Sequence, residues 1–189
     1  MSAEPFYSAV LTCHPSAPCR VVQDVTARLQ SARGGALAVG FLLQGDLRRL
    51  RIPSPARPLP TDRLWTHTCF EVFVGPQGQS AYYEFNVSPS GAWAAYAFCG
   101  YRDSIPLDAT QPAPLIQSRQ TDDTLVLNTT LALNNLPLIT PHTPLLIGLS
   151  AVIEDESGAL SYWALKHARG KPDFHHADAF ALTLPVIKS

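Results

Sequence analysis

Hydrophobic and polar residues alternate most regularly over residues 69–88, in two short segments. Successive side chains of a β-strand point to opposite faces of a sheet, so the alternation predicts two strands with distinct faces. One face is apolar and is expected to be buried: Phe70, Val72, Val74, Tyr83, Phe85 and Val87. The other face carries carboxylate, amide and aromatic groups: Cys69, Glu71, Phe73, Tyr82, Glu84, Asn86 and Ser88. This second face has the groups that a small polar ligand needs, although a solvated surface would show the same pattern.

The other apolar runs are short, and seventeen prolines and eleven glycines punctuate them, which is typical of an all-β domain. Further strands are predicted at residues 37–43, 47–52, 125–133, 145–153, 161–165 and 180–184. Residues 21–29 fit both a helix and a strand, and we favour the strand. Residues 53–63 hold four prolines and predict an extended loop. The sequence therefore predicts one domain over residues 1–189, a two-sheet antiparallel β-sandwich with almost no helix.

Composition narrows the classes of function. Apolar residues make up 46% of the chain and charged residues 15%, which indicates a globular protein. A formal net charge of −1 argues against nucleic acid or an anionic membrane as a partner. We find no apolar run of membrane-spanning length, no signal-peptide pattern and no disulfide framework among the four cysteines. We therefore expect a cytoplasmic protein with a small-molecule partner, while the oligomeric state is not indicated.

Three motifs, in this order, carry a family resemblance: LWTHTCFEVFV, YYEFNVSPSGAWAAYAF and SYWALKHARGKPDFHHADAFALTL. Together they span most of residues 36–185 and resemble bacterial DOMON-like domains. They are also remotely similar to family 9 carbohydrate-binding modules. The resemblance implies a β-sandwich that binds a sugar or a haem.

The resemblance to the sugar-binding modules also implies a site. Those modules hold a terminal sugar between two tryptophans and bind its hydroxyls with a glutamate. Trp65 precedes Glu71 by six positions, as in those modules, and Trp163 is the position most similar to the second tryptophan. Asn86 and Arg102 are further polar candidates. Aromatic rings cover the C–H faces of a sugar, while carboxylates and amides bind its hydroxyls.

The leading hypothesis is therefore a non-catalytic module that binds a small carbohydrate-like or other polar ring ligand and requires no cofactor. The structural alternative is that both tryptophans belong to the core and that Glu71 pairs with a basic residue such as Arg102. Tryptophan is highly buried on average, so this alternative stays open.

A haem-binding electron-transfer or sensor module is a second hypothesis. Haem-binding relatives use methionine with histidine or lysine as axial ligands, but the only methionine of this chain is Met1. The remaining candidates for haem b or a metal are Lys166, His167 and His175. A polar loop in which aspartates cap backbone N–H groups explains the same residues.

A glycoside-processing enzyme is a third hypothesis. Glu71 and Glu84 lie on adjacent predicted strands, and hydrolysis needs two carboxyl groups at a defined separation in a cleft. Nothing in the sequence requires this chemistry, and the chain has no G-x-S-x-G, G-x-G-x-x-G or Walker motif. A non-enzymatic protein is therefore favoured.

Overall fold

The computed structural model describes residues 6–32, 35–107, 112–140 and 143–185. These residues form twelve strands: β1 (Phe6–Cys13), β2 (Val22–Ala32), β3 (Ala36–Gly45), β4 (Cys69–Pro76), β5 (Tyr82–Val87), β6 (Trp93–Gly100), β7 (Asp103–Ile105), β8 (Leu115–Gln120), β9 (Thr124–Ala132), β10 (Leu145–Glu154), β11 (Leu160–Ala164) and β12 (Leu182–Leu184). Three short 3₁₀ turns lie between them: Leu47–Arg49, Leu64–Thr66 and Ala177–Ala179. In the described part of the chain no helix could cross a membrane.

The strands form two antiparallel sheets that pack face to face. The first sheet has the order β1-β2-β3-β9-β8, and the second has the order β7-β6-β5-β4-β10-β11. Strand β12 pairs with the first residues of β10. Thr12 and Cys13 at the end of β1 pair with Ala164 and Trp163 of β11, so β1 joins the two sheets along one edge. The predicted antiparallel β-sandwich is confirmed.

The core between the sheets follows the predicted alternation. The rings of Phe41 on β3 and Phe70 on β4 pack with their centroids 4.8 Å apart, and this contact joins the two sheets. The side chains predicted to be buried are each at most 3% exposed: Phe70, Val72, Val74, Tyr83, Phe85 and Val87. Burial of each such side chain stabilises the fold by about 1.5–3 kcal/mol.

The second sheet is buried on its outer face as well. Every residue of β4 and β5 is buried. An apolar cluster lies on this outer face: Cys69, Phe73, Tyr82, Phe98, Val152, Ala164 and Phe174. Phe174 belongs to the long connection between β11 and β12, which we call the β11–β12 loop. This loop therefore covers the sheet face that carries the polar residues of β4 and β5.

Two predicted strands differ in the structure. The prediction of a strand over residues 47–52 was wrong, because Leu47 begins a 3₁₀ turn and β3 pairs instead with β2 and β9. Leu47 and Leu50 are three positions apart and both buried, which suits the three-residue period of a 3₁₀ turn. The last strand is shorter than predicted: Phe180 lies outside it and packs against Phe73 on the outer face, with ring centroids 5.8 Å apart.

Candidate functional site

A cavity of about 610 Å³ lies between the outer face of the second sheet and the β11–β12 loop. Strands of the sheet contribute eight of its lining side chains: Glu71, Glu84, Tyr96, Phe98, Ser104, Val152, Leu160 and Tyr162. Turns and loops contribute the others: Trp65, Thr66, Arg102, Pro172, Phe174 and His175. We call this space the carboxyl cavity, because two glutamates form part of its sheet surface.

The strand order determines how these side chains are arranged. Tyr96 is on β6, Glu84 on β5, Glu71 on β4 and Tyr162 on β11. Strands β5 and β4 lie between β6 and β11 in the sheet. The two carboxyl groups are therefore flanked by tyrosines on both sides along the sheet.

Trp65 extends the aromatic surface beside β6. Its 3₁₀ turn follows Arg63, which has a left-handed backbone with φ of 59°. The indole lies edge-on to Tyr96 with ring centroids 5.6 Å apart, and the Tyr96 hydroxyl donates a 2.6 Å hydrogen bond to Asp62. Trp65 lines the cavity and is 38% exposed, so part of its ring is open to a ligand.

Glu71 is almost completely buried, with 2% of its surface exposed. Ser150 Oγ donates to Glu71 Oε2 at 3.1 Å, and the Cys69 thiol lies 3.8 Å from Oε1. Burial, followed by the charge of Glu84, raises the pKa of Glu71 to about 8. Glu71 therefore retains its proton at neutral pH.

Glu84 is a diagonal neighbour of Glu71 on the same face, because Glu71 pairs with Asn86 while Glu84 pairs with Phe73. Asn86 Nδ2 donates to Glu84 Oε1 at 2.9 Å. Burial raises the pKa of Glu84 to about 7, against the lowering effects of the Asn86 hydrogen bond and the Arg102 charge. The placement on one face keeps the paired-glutamate hypothesis open, since opposite faces would have excluded it.

His175 reaches the carboxyl cavity from the β11–β12 loop. Tyr82 Oη accepts the Arg102 backbone N–H at 3.2 Å and lies 2.8 Å from His175 Nδ1. Tyr82 Oη thus contacts both the turn after β6 and the β11–β12 loop. Burial, followed by the charge of Arg102, lowers the pKa of His175 to about 4, so the ring is neutral at pH 7.

Arg102 lines the same cavity but pairs with the loop. It has a left-handed backbone with φ of 55°, and its Nη2 donates to Asp173 Oδ1 at 2.9 Å. Tyr101 Oη donates to Asp173 Oδ2 at 2.6 Å. The sequence-based alternative of a Glu71–Arg102 pair is not what the structure shows, because the guanidinium is directed to Asp173.

The structure brings three of the five predicted ligand residues to the carboxyl cavity: Trp65, Glu71 and Arg102. Asn86 is fully buried and does not line the cavity; it holds Glu84 instead. Trp163 lies in the core between the sheets with 6% of its surface exposed, and its indole N–H donates to Ser161. Trp163 therefore cannot cover a ligand in this cavity.

Several cavity residues were missed by the sequence analysis. Tyr162 precedes Trp163 in β11 and consequently points to the opposite face, into the cavity. Strand alternation applied to residues 160–164 could have indicated Tyr162. Pro172 and Phe174 belong to an irregular loop, for which the sequence has no periodic signal.

The three haem or metal candidates do not come together at one site. Lys166 Nζ lies 3.6 Å from Asp178, and His167 Nε2 bonds to the Thr12 carbonyl oxygen at 2.7 Å. Among the three, His175 alone lines the carboxyl cavity. The described residues contain no group of three or more His, Cys, Asp or Glu side chains suited to a metal ion. Haem binding remains a prediction.

A second cavity of about 370 Å³ adjoins the first. Tyr82 and His175 belong to it, together with mainly apolar neighbours such as Pro76, Leu146 and Phe180. Since His175 lines both cavities, its ring separates them.

No protein-family model matches the chain, and no curated protein matches its sequence. Solved structures do resemble it. A Bacteroides uniformis protein to which carbohydrate binding has been ascribed is similar over 93% of this chain and 84% of its own, with a TM-score of 0.64 and 12% identity.

A family 9 carbohydrate-binding module from Caldicellulosiruptor kristjanssonii, in complex with glucose, is also similar. The match covers 91% of this chain and 76% of the module, with a TM-score of 0.56 and 11% identity. A cellotriose complex of such a module from the same organism matches over 87% and 74%, with a TM-score of 0.52 and 12% identity. At these identities the comparison shows the fold alone: this chain has the β-sandwich fold of family 9 carbohydrate-binding modules.

Proposed function

We propose that this protein binds a small carbohydrate or another polar ring ligand in the carboxyl cavity, without catalysing a reaction. The observation that carries the proposal is the meeting of Trp65, Tyr96 and Tyr162 with Glu71 and Glu84 in one cavity. Aromatic rings match the C–H faces of a sugar, and carboxyl groups match its hydroxyls. The sugar complexes of modules with the same fold support this proposal.

The size of the cavity and the protonation of its two carboxyl groups suit such a ligand. A volume of about 610 Å³ falls within the roughly 300–1,000 Å³ of small-molecule sites. Because the pKa values of Glu71 and Glu84 are raised, a protonated carboxyl can donate as well as accept a hydrogen bond. A sugar hydroxyl also donates and accepts, so the two groups are complementary.

Calorimetric titration with monosaccharides, disaccharides and sugar nucleotides tests the proposal. We expect binding of at least one member. The Trp65→Ala variant should then bind it roughly two- to twelve-fold more weakly, since an aromatic contact contributes about 0.5–1.5 kcal/mol beyond its area. Phe6→Ala is a matched control, because Phe6 is an exposed aromatic residue on β1, outside the cavity.

Two results would contradict the proposal. One is the absence of heat with every sugar while the protein is folded. The other is equal weakening by Trp65→Ala and Phe6→Ala, which would place binding elsewhere on the surface.

Acid–base chemistry at the two glutamates is a second candidate function. The observation in its favour is that Glu71 and Glu84 share one face and one cavity. Release of nitrophenol from nitrophenyl glycosides, lost in both Glu71→Gln and Glu84→Gln, would support it. Sugar binding without such release would favour the non-catalytic proposal.

A further inference from the structure

The carboxyl cavity contains two buried carboxyl groups that lack a cationic partner among the described residues. Glu71 Oε2 accepts a hydrogen bond from the neutral Ser150 hydroxyl, and Oε1 has only a thiol at 3.8 Å. Glu84 Oε1 accepts from the neutral amide of Asn86. His175 Nε2, the other polar neighbour of Glu84, lies 3.6 Å from Oε2, which is beyond hydrogen-bond distance. Two carboxyl oxygens in a ligand-sized cavity thus lack a strong donor.

Glu154, on the same sheet, is a buried carboxylate that does have partners within the protein. Glu154 is 5% exposed, as Glu84 is. Arg51 Nη1 and His67 Nδ1 each lie 2.7 Å from its carboxyl oxygens. Burial raises the pKa of Glu154, but these two hydrogen bonds outweigh it and the pKa is lowered. Among the described residues, the glutamates of the carboxyl cavity have no such pair of close donors.

The other charged groups around the cavity do not fill this role. Arg102 lines it, but its guanidinium is hydrogen-bonded to Asp173. Four further titratable neighbours, on β4, β5, β6 and the β11–β12 loop, are neutral at pH 7: Cys69, Tyr82, Tyr96 and His175. The charge of Arg102 lowers the pKa of both glutamates, but its hydrogen bond goes to Asp173, so among the described residues no cation donates a hydrogen bond to either carboxyl group.

We infer that the cavity selects a ring ligand bearing a protonated amine, such as an amino sugar, and that the ammonium group sits at Glu71 and Glu84. This inference rests on the proposed function and specifies its ligand class. An ammonium group has three N–H donors and no acceptor, which matches carboxyl oxygens that need donors. A bound ammonium group would donate hydrogen bonds to Glu71 and Glu84, as Arg51 and His67 do to Glu154.

Binding of an amine has a second consequence, because the Glu71–Glu84 pair holds protons at neutral pH. An ammonium group next to a carboxylate favours its ionised form, so the pair loses protons when the amine binds. The protons pass to the solvent, and the bound state contains an ammonium–carboxylate pair. A neutral sugar provides no reason for the pair to ionise and should bind without releasing protons.

Calorimetry with three matched series tests the inference: glucosamine, galactosamine and mannosamine, each beside its parent sugar and its N-acetyl derivative. We expect an amino sugar to bind at least about tenfold more tightly than its parent, since hydrogen bonds to charged groups are worth about 1.5–3 kcal/mol. Titration at pH 6, where the amine is already protonated before it binds, in buffers of different ionisation enthalpy should show proton release for the amine only. The N-acetyl derivatives, which have no charge, should behave as the parents do.

Glu84→Gln keeps the acceptor for Asn86 and removes the charge, so it should reduce the ratio of amine to parent affinity towards one. Glu71→Gln should act in the same direction. Glu156→Gln is the matched control, because Glu156 is exposed and pairs with Arg49 away from the cavity. Thermal melts establish whether each variant is folded. If a variant is unfolded, the comparison of amino and parent sugars with the wild-type protein still decides the question.

Parent sugars that bind as tightly as the amines would overturn this inference and leave the proposed function intact. Amine binding without proton release, or an unchanged ratio in both folded Gln variants, would also overturn it. If no sugar of these series binds, this inference is wrong, and the wider panel of disaccharides and sugar nucleotides decides the proposed function separately.

Discussion

The Tyr82 hydroxyl lies 2.8 Å from Nδ1 of His175, and this contact fastens the β11–β12 loop to the second sheet. The His175 ring also packs against Phe98 and Phe73, with centroid distances of 5.1 and 5.3 Å. Both partners of the hydrogen bond line the smaller cavity, and His175 lines the carboxyl cavity too. The position of the loop over the carboxyl groups therefore depends on this pair.

Tyr82→Phe should loosen the loop. The change removes the phenol oxygen and leaves His175 Nδ1 and the Arg102 N–H without this partner, at a cost of about 1–3 kcal/mol in the free energy of unfolding. Hydrogen exchange should accelerate over residues 172–176 more than in the core strands. Tyr7→Phe is the control, since Tyr7 lies on β1 of the first sheet, where it pairs with Leu29. Equal exchange in the two variants would show that the Tyr82 contact does not hold the loop.

The stability of the free protein should fall as the pH rises from 6.5 to 8. The pKa values of Glu71 and Glu84, about 8 and about 7, lie above the unfolded value of 4.5, so the native state binds more protons in this range. His175 acts in the opposite sense, but only between its native pKa of about 4 and the unfolded value of 6.5. Urea unfolding at both pH values measures the change.

Glu84→Gln should flatten this pH dependence, because the amide does not ionise. The gain in the free energy of unfolding at pH 8, relative to wild type, is expected to be of the order of 1–3 kcal/mol, since one pKa unit corresponds to about 1.4 kcal/mol. A variant as pH-sensitive as the wild type would show that Glu84 is not the titrating group.

Glu154→Gln should have the opposite effect. Its carboxylate accepts hydrogen bonds from Arg51 and His67, and its lowered pKa adds stability above about pH 4.5 that is lost as the pH falls through the native pKa. We expect a loss of about 1.5–3 kcal/mol at pH 7, the range for hydrogen bonds to charged groups. Urea unfolding of Glu154→Gln beside Glu84→Gln gives the comparison, and a stabilised Glu154→Gln protein would refute this account of the pair.

The fold was predictable from the sequence, because β3, β4, β5, β9 and β10 each have an unambiguous apolar face. The candidate site was predictable only in part. Trp65, Glu71 and Trp163 were all taken from the resemblance to the sugar-binding modules. The first two line the carboxyl cavity, whereas Trp163 lies in the core, the alternative that the sequence had left open. The segment SYWAL is apolar at almost every position, since β11 is covered on both sides. Alternation separates Tyr162 from Trp163 and so indicates that only one of the two faces the core, but in such a strand it does not show which one.

Gly148→Ala should displace the β11–β12 loop through steric overlap. A Cβ atom at Gly148 would lie 3.2 Å from the Ala179 carbonyl oxygen and 3.2 Å from Phe73 Cβ, so the loop or the sheet must shift. Overpacking of this kind costs about 1–3 kcal/mol. Gly100→Ala is the control, because a Cβ there would meet nothing within 4 Å. Thermal melts and ligand titration of both variants test the expectation, and an unaffected Gly148→Ala protein would contradict it.

The joining of the two sheets by β1 has a consequence for the order of folding. The contact of His167 with Thr12 links residues 155 positions apart, and β1 and β11 pair at the same place. Closing such a long loop costs chain entropy before the paired strands stabilise the fold. This edge of the sandwich is therefore expected to form slowly. Tyr162 is held by the pairing of β11 with β10, and β10 in turn pairs with β4, where Ser150 lies opposite Glu71, 79 positions earlier in the chain. One wall of the carboxyl cavity therefore forms only after distant parts of the chain have met. A ligand that needs this wall can bind only late in folding, and its binding then reports that the sandwich has closed.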